Sequence, residues 1–111
     1  MYNTITDFSC EIEGVPVTID FSDHARGRMR KRNVNKHAII ASIVDLGFMI
    51  LDMKNDTEFA VINPEYDINV ICGLHAHGTD VVIDVITVLH SSESYVKDGT
   101  EIVRVTDLLE A

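Results

Sequence analysis

The chain has 111 residues, 46% of them hydrophobic, and a formal net charge of -9; this is enough to bury one core, and two domains would be hard to fit. Its longest apolar stretches, Gly47 to Leu51 and Val81 to Leu89, are too short or too polar for the about 20 apolar residues that a bilayer crossing needs. The opening MYNTITDFSC lacks the basic and apolar regions of a signal peptide, so a single cytoplasmic domain over residues 1–111, away from membranes, is expected.

In chain order, Phe8 to Glu13 and Val15 to Phe21 read as two strands hinged at Gly14, with Val17, Ile19 and Phe21 alternating against Thr18 and Asp20. Ser22 is a good N-cap and Asp23 a favourable first-turn acid, which predicts a helix to about Arg32. Asn33 suits the left-handed residue that ends a helix, and Asn35 can cap a second one, Lys36 to Leu46, with Ile39, Ile43 and Leu46 on one stripe and Gly47 closing it. The pattern then turns strand-like at Phe48 to Met53, Thr57 to Ile62, Ile68 to Ala76 and Val81 to His90, separated by turn-forming segments. Glu101 to Thr106 adds a further strand, and Asp107 to Ala111 a short tail. The order predicts an α+β fold, two N-terminal helices packed on a mostly antiparallel sheet.

Charge is unevenly distributed along this order. Six of the nine basic residues, Arg26, Arg28, Arg30, Lys31, Arg32 and Lys36, fall between Ser22 and Lys36, where Asp23 is the one acid; the rest of the chain holds three basic residues and 17 acids. Such a body disfavours broad coating by nucleic acid yet permits one local anion contact. His24, Arg28 and Arg32 recur at i, i+4 and i+8 and share one side of the predicted helix. Arg26 and Arg30 form a second pair that, with Lys31, makes a candidate binding set. Like charges at this spacing repel by a few tenths of about 1 kcal/mol per pair, so an acidic group should face them. Phosphate fits the planar arginine fork, and carboxylates of this chain fit equally well; Asp84, set within an aliphatic strand, is the natural internal partner for Arg28 or Arg32.

The run FSDHARGRMRKRNV from Phe21 to Val34 resembles the HisAla, ArgMet, Arg opening of an uncharacterised bacterial family that is placed by similarity with the RelE/ParE-like toxin fold. The likeness covers Phe21 to Val44 best, and VIDVITV near the end resembles the family's closing strand, with Leu89 and His90 standing where a tyrosine pattern is usual. The family usually has glycine where Asn33 stands. The resemblance implies a RelE-like fold and metal-independent RNA cleavage, in which a ribose 2'-hydroxyl attacks the adjacent phosphorus. His24 would then be the acid or base, Arg28 and Arg32 would stabilise the phosphoryl oxygens, and His90 would be a second proton carrier. The implied partners are RNA or the ribosome, and an antitoxin protein. No cofactor or metal is expected.

Other constellations carry less. His75 and His77 have the spacing that puts two imidazoles on one face of a strand, with His90, Asp80 or Asp84 as third ligand, but a surface pair beside a turn fits the pattern better than a metal site. His37 has no evident partner. Cys10 and Cys72 lie far apart in apolar runs and read as buried thiols. No glycine-rich phosphate loop occurs, and Ser91, Ser92 and Ser94 lack a nucleophile elbow. The competing reading is a noncatalytic acidic binding or inhibitor protein that engages a basic partner through Glu11, Glu13, Asp20, Asp52, Asp56, Glu58, Glu65 and Asp67. An exposed sheet edge would let the domain self-associate as a homodimer.

Overall fold

Apolar alternation and two left-handed turn residues, Glu13 (φ 51) and Gly14 (φ 81), fold the first described residues into a hairpin of β1 (Phe8–Ile12) and β2 (Val15–Phe21). The computed structural model describes residues 8–106; the expected tail Asp107 to Ala111 lies outside them. Ser22 caps α1 (Asp23–Arg32) through its hydroxyl oxygen, which accepts from the Ala25 amide at 3.0 Å. Asn33 ends that helix at φ 55, and Asn35 opens α2 (Lys36–Asp45) by accepting from the His37 amide at 2.7 Å.

The expected strand from Phe48 to Met53 is instead a short helix, α3 (Gly47–Leu51). The amides of Met49 and Ile50 both donate to the Leu46 carbonyl at 3.0 Å, and Ile50 joins Ile39, Ile43 and Leu46 with no exposed surface. That stripe at i, i+4, i+7 and i+11 is helical spacing carried past Gly47. α2 ends at its cap Leu46, and Gly47 opens α3 instead of leading into a strand. A Cβ there would lie 2.7 Å from Cδ1 of Ile12, so it is the close approach of β1 that calls for glycine.

The remaining elements are β3 (Glu58–Asn63), a 3-10 turn (Pro64–Tyr66), β4 (Ile68–His77), β5 (Asp80–Val88) and β6 (Glu101–Arg104). β3, β4 and β5 form the expected antiparallel meander, but β2 lies parallel to β5 and β6 parallel to β3. The sheet is thus mixed, in the order β1-β2-β5-β4-β3-β6. Three helices accompany it, with α1 against β5 and α2 against β3, and the protein is α+β.

One side of the sheet makes the core with the helices: Val17, Ile19 and Phe21 of β2, Ile83 and Val85 of β5, Cys72 and Leu74 of β4 and Phe59 and Val61 of β3 pack with Ala25, Met29, Ile39, Ile43 and Leu46. Each large aliphatic side chain so buried contributes roughly 1.5–3 kcal/mol. Simple alternation along β5 would put Val88 on the face opposite Val85. The β4 register runs Cys72↔Val85 and then Ile71↔Thr87, which makes Ile86 an extra, bulged residue; Val88 returns to the core at 2% exposure while Ile86 is 39% exposed. Ser42 and Asn63 tie α2 to β3 in the core, the Asn63 amide donating to the Ser42 hydroxyl at 3.0 Å and that hydroxyl donating to the Ala38 carbonyl at 2.8 Å.

Gly27 of α1 has nothing within 4 Å of its Cβ position. Urea unfolding should therefore show Gly27→Ala raising stability by about 0.5–1 kcal/mol through helix propensity. Gly47→Ala should lower it by about 1–3 kcal/mol, because Ile12 must move.

Candidate functional site

The basic helix is placed by the point at which β2 stops. The parallel pairing of β2 with β5 ends at Phe21↔Val85, whereas β5 runs on to Val88. Ser22 donates from its amide to the Val85 carbonyl at 3.0 Å and from its hydroxyl to the Ile86 carbonyl at 2.8 Å. At the other end of α1, a guanidinium nitrogen of Arg32 donates to the Val88 carbonyl. The helix thus lies along the side of β5 that β2 has left, and its N-cap and its last residue satisfy carbonyls there.

Of the expected catalytic set, His24 is exposed in the first turn and Arg28 is half-buried one turn later. Among the described residues neither side chain makes a hydrogen bond or ion pair. Eight residues of helix separate His24 from Arg32, about 12 Å along the axis, so one small group cannot touch both at once. Arg32 is already engaged with β5. His90 is exposed beyond the end of that strand, where its charge acts on the carboxylate of Asp67; no hydrogen bond or ion pair among the described residues joins it to His24.

The binding set divides. Arg26 and Arg30 line a shallow cleft of about 330 Å³ with Met29, Asn33, Val34 and Lys36, whereas exposed Lys31 is not part of it. Phe21 orients two of the cations: its carbonyl accepts from Nε of Arg26 at 3.2 Å, and the Lys36 ammonium stands 5.9 Å from the centre of its ring. Lys36, the first residue of the second helix, was not among the residues expected to bind; the signal for it was the left-handed Asn33, which turns α2 back towards α1.

The expected pairing of Asp84 with Arg28 or Arg32 does not form. Asp84 lies on the other face of the sheet, level with Asp20 of β2 and Gly73 of β4, and its Oδ2 is 3.2 Å from Nε2 of His75. Nδ1 of the same ring is 3.0 Å from Oδ1 of Asp56, a residue in the turn before β3 with φ 67. The imidazole folds over Gly73, whose added Cβ would come within 3.2 Å of Nε2. With a carboxylate at each nitrogen, His75 links the 52–57 turn to β5. His77 is exposed, and among the described residues no three His, Cys, Asp or Glu side chains are grouped to hold a metal ion.

Cys10 and Cys72 are both free thiols, and burial together with the nearby Asp84 charge pushes Cys72 well above the ordinary thiol value. It is an inert core residue. A second groove lies between the connection after β5 and strands β3 and β6, with Asp67, Glu93 and Arg104 on its walls. A third depression, beside the turn before β6, carries Glu58, Asp98 and Glu101 with Lys97. Of these three, the α1–α2 cleft is the one lined by cations and no acid.

Fold and site together define an acidic α+β domain whose basic residues are gathered at one helix corner. No family model matches the chain, and no curated protein or solved structure does either.

Asp67 (φ 53) accepts from the Ser92 amide at 2.7 Å and so holds the connection after β5. That bond, with the Ser92 side chain second, keeps its carboxyl below the ordinary 3.8. A lowered folded value means stability present above the unfolded value and lost as pH falls through the folded one. Stability measured from about pH 5 down to about pH 2 should therefore fall less steeply in Asp67→Asn, which keeps the left-handed turn but not the charge.

Proposed function

We propose that this protein is a RelE/ParE-like, toxin-family protein that engages RNA through the cations of α1 and cleaves it without a metal. The observation that carries this reading is that Arg28, Arg30 and Lys31 have no carboxylate partner among the described residues, although acids outnumber basic residues 18 to 9. Mutual repulsion of these charges is tolerable at the C-terminal end of a helix, where the backbone dipole favours cations. It leaves them available to an external anion. The chain is α+β, the class that the resemblance of the Phe21 to Val34 motif implies, with three helices and a mixed sheet.

In the proposed reaction His24 accepts the proton of a ribose 2'-hydroxyl as its oxygen attacks the adjacent phosphorus. Arg28, one turn away on the same side, stabilises the phosphoryl oxygens, and the departing 5'-oxygen takes a proton from solvent. Arg32 serves the reaction by holding α1 on β5.

A second reading has its own support. Glu58, Asp84 and Asp20 lie level across β3, β5 and β2 on the face of the sheet opposite the helices, with Asp56 close by through His75. A noncatalytic protein could meet a basic partner there.

Total RNA, and ribosomes carrying mRNA, incubated with the protein in EDTA should be cut. A His24→Ala, Arg28→Ala variant with an unchanged circular dichroism spectrum should cut at least about 100-fold more slowly. Absence of cleavage by the parent in both settings would transfer support to the acidic binding protein.

A further inference from the structure

We infer that the gap left by Gly27 on the outer line of α1 is the seat of one backbone phosphate of the RNA strand, gripped from its two sides by Arg30 and Lys31. The inference rests on the RNA reading above and adds where the strand touches the helix and what makes room for it.

Gly27 stands in the middle of α1, where glycine is the least suited residue after proline. Nothing in the fold calls for it there. Its φ is not in the left-handed region, and an added Cβ would meet nothing within 4 Å, so neither a turn nor a packing contact requires a bare position. Ala25 and Met29, two residues to either side, are the buried residues of this helix. At about 100° per residue this sets Gly27 on the line furthest from the core, where a side chain would protrude most and a missing one opens the closest approach to the helix.

The gap is bordered by cations that nothing else engages. Residues three and four places on lie beside a given helical position, and their side chains tilt back towards the N-terminus. Arg30 and Lys31 therefore reach back past Gly27 on its two sides, yet neither comes within 4 Å of the missing Cβ. Both are exposed, and among the described residues neither side chain has a hydrogen-bond or ion-pair partner. Asp23, four places before Gly27, tilts away from the gap by the same rule. An anion entering here meets a guanidinium and an ammonium together, and the arginine fork matches two oxygens of one phosphate. A side chain at position 27 would hold that anion off both. Gly27 is about 4.5 Å along the axis from His24, which with Arg28 serves the scissile phosphate; the seat takes a neighbouring phosphate of the same strand and so sets its register.

The test is fluorescence anisotropy with an eight-nucleotide 2'-O-methyl RNA, which lacks the attacking hydroxyl and so separates binding from cleavage. Gly27→Ala should weaken binding about threefold and Gly27→Leu at least about tenfold, while urea unfolding shows both at least as stable as the parent. Arg30→Ala with Lys31→Ala should also lose at least about tenfold, and adding Gly27→Leu to that pair should cost less than about twofold more, because the seat is already lost. Ala41→Leu, the same enlargement at an exposed position of α2, should change binding less than about twofold. Gly27→Leu binding as tightly as the parent, or losing as much in the double-variant background as alone, would overturn the seat while leaving RNA binding intact. A parent protein that does not bind the RNA would overturn the RNA reading and the seat together.

Discussion

Beyond the Phe21↔Val85 pair, β5 continues through Ile86, Thr87 and Val88 with no strand on its β2 side. Each carbonyl left unbonded there would forgo a hydrogen bond of about 0.5–1.5 kcal/mol. Ser22 supplies two donors and Arg32 a third, so the two ends of α1 are fixed to the sheet by the same need. Between those ends Ala25 and Met29 enter the core, which sets the rotation of the helix and leaves His24, Arg26 and Arg30 exposed. The bulge at Ile86 belongs to the same arrangement, because it returns Val88 to the core side of β5.

Charge separation gives this helix its chemical character. A helix with five basic residues in ten opposes its own formation by repulsion between neighbouring turns, in part offset by Asp23 at its start and by Arg30, Lys31 and Arg32 at its end. Several of the described acids are committed elsewhere. Asp56 and Asp84 meet His75 on the face of the sheet opposite the helices, and Asp67 is held by Ser92. What neutralisation the sequence could have provided for Arg28 through Asp84 is thus directed to a histidine on the opposite side.

Much of the fold could be read from local chemistry. The caps at Ser22 and Asn35, the left-handed Asn33 and the alternation in β2 to β5 all acted as their residue types suggest. The stretch after Gly47 was misread because five apolar residues in a row carry no alternation by themselves; the helical stripe through Ile39, Ile43, Leu46 and Ile50 becomes visible only when the two segments are taken together. The parallel pairings of β2 with β5 and of β6 with β3 arise from contacts far apart in sequence, which periodicity does not encode. The basic helix itself was legible from charge and spacing, but Lys36 and the orienting role of Phe21 required the turn at Asn33 in three dimensions. The His75 clamp was half legible: Asp84 was recognised as a candidate neighbour of His75, while Asp56 reaches it from a turn 19 residues away.

The central claim, that the molecule meets its ligand at the α1–α2 corner, is tested most directly by following backbone amide shifts in nuclear magnetic resonance spectra as 2'-O-methyl single-stranded RNA is added. The account predicts changes confined to residues 22–36 and to the adjoining end of β5. Changes centred on Asp20, His75 and Asp84, with the α1 amides unmoved, would contradict it.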